Sequence, residues 1–141
     1  MSLDRPLAGT VVIDATRMLP GAVLARLLAD LGARIIKVEE PGVGDPMRAV
    51  PPLVGGTGAG FHAFYHGAES IALDLASSGG ATALRRLARH ADVLVESFRP
   101  GTMERWGVGH DRLTSTNPLL VTCSLSAFGS RDAAHARIAA H

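Results

Sequence analysis

Cysteine and aromatic residues are scarce in this chain. It contains one cysteine, Cys123, and aromatic residues make up 4% of the sequence. One cysteine cannot form an internal disulfide, which is typical of a reducing compartment, and we therefore expect a cytoplasmic protein. Because so few aromatic side chains are available, the core has to be built mainly from Ala, Leu, Val and Ile.

Two further absences narrow the class of protein. The net charge is only +1, so there is no general attraction to nucleic acid and any phosphate binding has to be local. The sequence shows no secretory signal peptide and no apolar run of the roughly 18 residues that a membrane-spanning helix needs. We predict neither a nucleic-acid partner nor a membrane association. The 141 residues, 47% of them hydrophobic, fit one globular domain.

Short apolar runs with the length and composition of buried strands recur along the chain. They lie at 10–14, 34–39, 70–75, 93–95 and 119–124. Helical patterns separate most of them, so the strands are joined by crossovers rather than by hairpins. This alternation predicts an α/β protein with a Rossmann-like, doubly wound parallel sheet of about five strands that helices cover on both faces.

Two segments show the apolar periodicity of amphipathic helices. In 22–31, the residues predicted to face the core are Val23, Leu24, Leu27, Leu28 and Leu31. After a cap at Ser77 or Ser78, the inward face is formed by Leu84, Leu87, Ala88 and Ala91. A shorter helix is predicted around 111–116. The segment 40–60, rich in Gly and Pro, shows no period and is predicted to be a loop.

The first strand–helix turn excludes a common ligand of such folds. A nicotinamide or flavin site needs several glycines there, so that the backbone can approach a pyrophosphate. Residues 14–21 contain one glycine, Gly21, and place the bulky Met18 and Leu19 where the pyrophosphate would pass. The sequence therefore favours the fold without a dinucleotide site.

The segment 93–107 is the most informative candidate site. Its strand leads into a loop in which Arg99 stands between Phe98 and a Pro-Gly pair, followed by Arg105 and Trp106. Ligands of α/β folds bind beyond the carboxyl ends of the strands, and arginines beside aromatic rings suit an anionic, flat ligand. The alternative interpretation is an ordinary connection whose arginines are solvated.

Five collinear motifs carry a more specific signal. They are LAGTVVID (7–14), LADLGARIIKVEEPGVGDPMR (28–48), SIALDL (70–75), ADVLVESFRPG (91–101) and NPLLVTCS (117–124). In order and spacing they resemble the family III (CaiB/BaiF-type) CoA-transferases and the related α-methylacyl-CoA racemases. The resemblance covers nearly the whole chain up to Gly129.

The resemblance implies that residues 1–141 are the N-terminal part of a Rossmann-like large domain that binds coenzyme A as an acyl-CoA, without a metal. The sheet is then incomplete relative to the full family fold, with 40–60 a variable loop and 130–141 a divergent tail. Family enzymes are interlocked homodimers, so we expect a homodimer of the full-length protein. We also expect exposed apolar surface around Phe61, Phe64 and Tyr65 in this part of it.

The resemblance also implies a set of CoA contacts. The matching positions are Met18, Leu19, Glu40, Leu73, Asp74, Leu75, Ala76, Ser97, Phe98, Arg99 and Arg105. Glu40 departs from the arginine that is common there, and its carboxylate would repel a phosphate. In that case the phosphate contact moves to Lys37, Arg48 or Arg99.

Two chemistries remain open for the full-length protein. CoA-transferases of the family use an aspartate that forms an acyl anhydride and then a thioester with CoA, but this aspartate lies beyond the positions that the chain matches. Racemases of the family exchange the α-proton of an acyl-CoA with a histidine and an aspartate. His141 is the candidate for the histidine, and His135 is less well placed. A domain that binds CoA esters or a partner chain without catalysis is the third interpretation, and an unrelated Rossmann-like binding module is the fourth. We expect the isolated chain to be inactive.

Overall fold

Strands and helices follow one another as the alternating patterns predict. The computed structural model describes residues 5–127 and 129. The elements are β1 (Val11–Ala15), α1 (Met18–Asp30), β2 (Arg34–Glu39), a 3-10 helix (Pro46–Ala49), β3 (Leu53–Val54), β4 (Thr57–Gly58), α2 (Ala59–Phe64), β5 (Glu69–Ala72), α3 (Ser78–Ala88), β6 (Val93–Glu96), α4 (Thr102–Arg105), α5 (His110–Thr114) and β7 (Val121–Ser124).

Five of these strands form one parallel sheet in the order β5-β2-β1-β6-β7. In the register of its three central strands, Ile13 of β1 lies between Ile36 and Leu94. The strand order reverses between β1 and β6, as at the switch point between the two halves of a doubly wound fold. The predicted Rossmann-like parallel sheet is confirmed. The short strands β3 and β4 form a separate antiparallel hairpin.

The two faces of the sheet are buried in different clusters. Val12 and Ile13 are adjacent in β1 and both are almost fully buried. Because successive side chains of a strand point to opposite faces, Ile13 packs in the cluster with Leu84 and Ala88 of α3, whereas Val12 packs with Ala22 of α1. This two-sided burial explains why the strands are continuous apolar runs rather than alternating ones.

Helix α1 faces the sheet with smaller residues than the sequence pattern indicated. Its buried positions are Gly21, Ala22 and Ala25. Val23, Leu27 and Leu31, which we expected to be part of the core, are 38%, 56% and 44% exposed. The small side chains let the helix backbone approach the sheet closely, and the three larger residues lie away from it. The predicted apolar face is therefore wrong at these positions.

The segment 40–60 is not a loop throughout. It contains the 3-10 helix and the β3–β4 hairpin, and it leads into α2. Asp45 caps the 3-10 helix, since its side chain accepts a hydrogen bond of 2.9 Å from the Met47 N–H, and Pro46 occupies the first helical position. Elements of two to four residues are too short to show a period in the sequence.

Phe61 and Tyr65 do not form the exposed apolar surface that we expected. Phe61 and Tyr65 are 8% and 6% exposed, and Phe64 is half-buried. The two buried rings pack on each other with centroids 4.8 Å apart, and the Arg48 guanidinium lies 3.8 Å from the Phe61 centroid. The segment folds back onto α1 and the 3-10 helix, which removes these side chains from solvent.

Glu39, the last residue of β2, joins three segments of the chain. Its carboxylate accepts two hydrogen bonds of 2.6 Å from Arg48, one of 2.6 Å from the Ser70 hydroxyl and one of 2.8 Å from the Asp45 N–H. Burial alone would raise the pKa of Glu39. The hydrogen bonds from Arg48, Ser70 and Asp45 outweigh that effect and lower the pKa to about 2.

Helix α3 begins against the backbone of the turn that precedes it. Ser77 caps the helix, because its Oγ accepts a hydrogen bond of 3.0 Å from the Gly80 N–H. A Cβ atom at Gly80 would lie 1.9 Å from the carbonyl oxygen of Asp74. At the neighbouring Gly79, a Cβ atom would meet nothing closer than the Ser77 hydroxyl, at 4.0 Å. Gly80 is therefore required by the close approach between α3 and the turn after β5.

The two glycines provide a matched pair of variants. We expect Gly80→Ala to lower the free energy of unfolding by about 1–3 kcal/mol or more, because the new methyl group overlaps the backbone of Asp74. Gly79→Ala should be neutral or should raise stability by up to about 1 kcal/mol, since alanine favours the helix. Urea denaturation followed by circular dichroism measures both, and equal effects of the two variants would contradict the packing described.

The pKa of Glu39 predicts a window of acid sensitivity. It is about 2 in the folded chain against an ordinary value of 4.5, so the carboxylate contributes stability above pH 4.5 and loses this contribution as the pH falls towards 2. Glu39→Gln should therefore be less stable than the wild type at neutral pH, and the difference should shrink across this window. Glu69→Gln, which breaks an exposed ion pair with Arg34, is the control and should have little effect at any pH. A difference between wild type and Glu39→Gln that does not depend on pH would rule out this assignment.

Candidate functional site

A cleft opens at the carboxyl ends of the strands β1, β2, β5 and β6. Its walls are formed by 15–17, 38–40, 73–76 and Phe98, one segment after or at the end of each strand. Gly44, Asp45 and Trp106 complete the lining. The sheet order reverses between β1 and β6, and ligands of doubly wound folds bind beside such a reversal. The cleft therefore lies where this fold places a ligand.

Six of the sequence-predicted residues line this cleft. They are Glu40, Leu73, Asp74, Leu75, Ala76 and Phe98. The turn after β5 is shaped locally by Asp74, whose side chain accepts a hydrogen bond of 3.0 Å from the Ala76 N–H. Leu75 is buried, so that its side chain belongs to the core while the residue contributes to the wall. Three segments that are far apart in sequence thus lie together in one cleft.

The other predicted residues lie outside the lining. Met18 and Leu19, at the start of α1, are 42% and 51% exposed. Arg99 is exposed in the turn between β6 and α4, and its carbonyl accepts a hydrogen bond of 3.0 Å from the Thr102 N–H. Arg105 is exposed and donates to the Thr102 hydroxyl at 2.8 Å. His141 and the tail from residue 130 lie outside the described residues.

Ser97 contributes by holding the turn between β1 and α1. Its Oγ accepts a hydrogen bond of 2.9 Å from the Arg17 N–H. The next residue, Met18, has a φ of 63°, a left-handed conformation that costs a residue other than glycine roughly 1–3 kcal/mol. Gly21 packs directly against Thr16, and a Cβ atom at Gly21 would lie 1.7 Å from the Thr16 hydroxyl oxygen. The surrounding contacts therefore impose the strained conformation of this turn.

Arg17 is the functional candidate that the sequence analysis missed. Its guanidinium forms an ion pair of 2.7 Å with Glu40, and the two side chains are 48% and 50% exposed. The guanidinium carbon lies 5.7 Å from the centroid of the Phe98 ring, which packs edge-to-face on Trp106 with centroids 5.0 Å apart. The position of Arg17 two residues after a strand was the available signal, because the turns after parallel strands meet at one edge of the sheet.

Beneath the lining of the cleft, the buried Lys37 lies between two carboxylates, and we call this cluster the floor of the cleft. Its side chain is 1% exposed, and its Nζ lies 3.1 Å from Asp45 Oδ2 and 3.5 Å from Asp14 Oδ1. Nζ also donates a hydrogen bond to the carbonyl oxygen of Thr16. Asp14 in turn accepts hydrogen bonds from the Thr16 hydroxyl at 2.5 Å and from the Tyr65 hydroxyl at 3.0 Å. The two turns that flank the cleft are thereby fixed to one buried cation.

This network changes two expectations about phosphate contacts. Lys37 is enclosed by carboxylates, and Arg48 donates two hydrogen bonds to Glu39, so both alternatives to Arg99 are occupied by partners within the chain.

The ionisation of Tyr65 is also suppressed. Burial, and after it the charge of Asp14, holds the pKa of its hydroxyl far above the ordinary value. Tyr65 is therefore a hydrogen-bond donor in the floor rather than a base.

The cleft is lined by aromatic rings, backbone and charged side chains of both signs. Among residues 5–127 and 129, no group of three or more His, Cys, Asp or Glu side chains is arranged to hold a metal ion. Within the same ranges, no helix is both long and apolar enough to cross a membrane. The lining combines an aromatic pair, the backbone of three turns, the Arg17 guanidinium and four carboxylates.

Comparison with known proteins identifies curated relatives along most of the chain. It is 44% identical over 124 residues to the acetyl-CoA:oxalate CoA-transferase of Acetobacter aceti, which covers 88% of this chain and 32% of the relative. It is 35% identical over 130 residues to the human succinyl-CoA:glutarate CoA-transferase, which covers 92% of this chain and 30% of the relative. The chain therefore spans about a third of the length of these curated relatives.

Solved structures show the same relationship. A hypothetical protein from Mycobacterium tuberculosis superposes with a TM-score of 0.89 at 38% identity, covering 97% of this chain and 38% of that structure. A CaiB/BaiF family protein from Brucella suis gives a TM-score of 0.87 at 37% identity, covering 95% and 36%. The sequence also matches the model of CoA-transferase family III over residues 7–141. The chain belongs to CoA-transferase family III.

Proposed function

We propose that this chain forms the coenzyme A-binding wall of a CoA-transferase, an enzyme that moves CoA between carboxylic acids. One observation carries the proposal. Six positions that the family resemblance assigns to CoA, from three separate segments, line one cleft at the carboxyl edge of the sheet. The relatives compared above are CoA-transferases, which supports the same chemistry for the full-length protein.

The chemistry of the cleft suits the nucleotide end of CoA. The half-buried Phe98 and Trp106 rings provide apolar faces for an adenine. Arg17 lies in the lining, and Arg99 and Arg105 are exposed in the segment that begins with Phe98, so that flexible guanidinium groups are available to the 3′-phosphate and the pyrophosphate. Helix α1 also begins at this edge with no acidic residue in its first turn, which favours an anion there.

For the full-length protein we propose the transfer chemistry that the resemblance implies. An aspartate carboxylate attacks the thioester carbonyl and releases the CoA thiolate, leaving an acyl anhydride. The thiolate then attacks the aspartyl carbonyl of the anhydride, which releases the donor acid and leaves an aspartyl-CoA thioester. The acceptor acid then takes the CoA by the reverse sequence. The part of the chain that the structure describes holds CoA in this scheme and supplies no nucleophile.

The racemase alternative rests on His141 and receives less support. His141 lies outside the described residues, and the relatives compared above are CoA-transferases. A homodimer of the full-length protein and a cytoplasmic location stay predictions.

Binding of CoA by this chain is directly measurable. In isothermal titration calorimetry, the 141-residue chain should bind acetyl-CoA much more tightly than S-acetylpantetheine, which lacks the nucleotide. Arg99→Ala should weaken acetyl-CoA binding by about tenfold, because a charge-assisted contact to phosphate is lost. Arg86→Ala removes an exposed charge from α3, on which no CoA contact is proposed, and should bind as the wild type does. No heat of binding with millimolar acetyl-CoA would reject the proposed function.

Catalysis by the same preparation is expected to be undetectable. The chain should not transfer CoA from acetyl-CoA or succinyl-CoA to oxalate or glutarate, because the proposed nucleophile lies outside it. Product formation is followed by liquid chromatography and mass spectrometry of the CoA esters. Turnover that persists after repurification would show that the nucleophile is within these 141 residues.

A further inference from the structure

The lining of the cleft carries more negative than positive charge. Among the described lining residues there are four carboxylates, on Glu39, Glu40, Asp45 and Asp74, and one cation, Arg17. Arg48 pairs with Glu39 and Lys37 pairs with Asp45, each from outside the lining. Binding of a phosphate in this cleft therefore depends strongly on whether the Arg17 guanidinium is available to it.

Arg17 is placed at the mouth of the cleft by its backbone and not by its ion pair alone. The Arg17 N–H donates to the Ser97 hydroxyl at 2.9 Å, which fixes the start of the side chain. The guanidinium lies between the Glu40 carboxylate, at 2.7 Å, and the Phe98 ring, whose centroid is 5.7 Å from the guanidinium carbon. Loss of Glu40 would therefore leave the Arg17 backbone at the same place, with the guanidinium donors available near the Phe98 ring.

The Arg17–Glu40 pair is also easily exchanged. Both side chains are about half exposed, at 48% and 50%, and exposed ion pairs contribute little net stability. A phosphate carries more charge than a carboxylate and accepts two parallel hydrogen bonds from a guanidinium. An incoming phosphate can thus replace Glu40 as the partner of Arg17 without disturbing the fold.

We propose that Arg17 is a phosphate-binding residue of this cleft and that Glu40 is its counterion, which the phosphate of the ligand displaces. The proposal rests on the proposed function, because it takes CoA as the ligand. The proposal gives the Glu40 carboxylate a role, because it pairs with the Arg17 guanidinium until a phosphate takes its place. Arg17, unlike Arg99, lies in the lining itself.

Four variants of the 141-residue chain separate this role from a structural one. In calorimetric titrations with CoA, Arg17→Ala should weaken binding by at least about tenfold. Glu40→Gln should strengthen binding by roughly two- to fivefold, since the competing carboxylate is removed. The double variant Arg17→Ala/Glu40→Gln should bind clearly more weakly than Glu40→Gln alone. The control is Arg34→Ala, at the amino end of β2 and away from the cleft. It breaks an exposed ion pair with Glu69 and should bind as the wild type does.

The double variant decides between contact and repulsion. If Arg17 only shields the ligand from Glu40, the double variant will bind as tightly as Glu40→Gln, and the proposal is wrong. It is equally wrong if Arg17→Ala binds within twofold of the wild type, or if Glu40→Gln weakens binding. Thermal unfolding of each variant checks that the fold is intact. The midpoint of each exposed substitution is expected to stay close to that of the wild type.

A second ligand identifies the phosphate and keeps the two proposals apart. If Arg17 contacts the 3′-phosphate, Arg17→Ala will weaken CoA but not 3′-dephospho-CoA. If it contacts the pyrophosphate, both ligands will be weakened alike. Either pattern supports the proposal. Wild-type binding that is unaffected by Arg17→Ala overturns this inference and leaves the proposed function standing, whereas a wild-type chain that binds no CoA overturns both.

Discussion

The ammonium group of Lys37 is the constraint on which the cleft depends. It is withdrawn from water at the carboxyl ends of β1 and β2, with a side chain that is 1% exposed. A buried cation is tolerated only with close partners, and here Asp14, Asp45 and the carbonyl oxygen of Thr16 supply them. Each partner belongs to a different piece of backbone. Satisfying one charge therefore requires β1, the turn after β1 and the segment after β2 to adopt a single arrangement.

This arrangement accounts for the strain in the turn between β1 and α1. A left-handed Met18 is unfavourable by itself, and it persists because the turn is fixed on both sides. Lys37 holds the carbonyl oxygen of Thr16, Ser97 accepts from the Arg17 N–H, and Gly21 leaves room for the Thr16 side chain. The wall that Arg17 contributes is consequently formed before any ligand arrives, which lowers the ordering cost of binding.

The sequence predicts the sheet well because continuous apolar runs and crossover helices leave few topologies. It predicts side-chain contacts less well where they join residues that are distant in sequence, or where small residues rather than large apolar ones make the contact. Val23 and Leu27 look like core residues by periodicity, but alanines and a glycine make the closer contact with the sheet. Nothing local to Lys37 shows that Asp45 returns to it. The pairing of Arg17 with Glu40 is likewise visible only once the turns after β1 and β2 lie side by side.

Burial divides the ion pairs of the cleft into two kinds. Breaking the pair between Lys37 and Asp45 would leave charges in a region without water, so its partners cannot be exchanged. The pair between Arg17 and Glu40 is half exposed, and water can solvate whichever group is released. The buried pair of Lys37 and Asp45 therefore fixes the shape of the floor, whereas the exposed pair of Arg17 and Glu40 at the mouth can exchange partners. In our proposal, this is why a cleft that is rich in carboxylates accepts a phosphate at its mouth: its buried acids already have their cations.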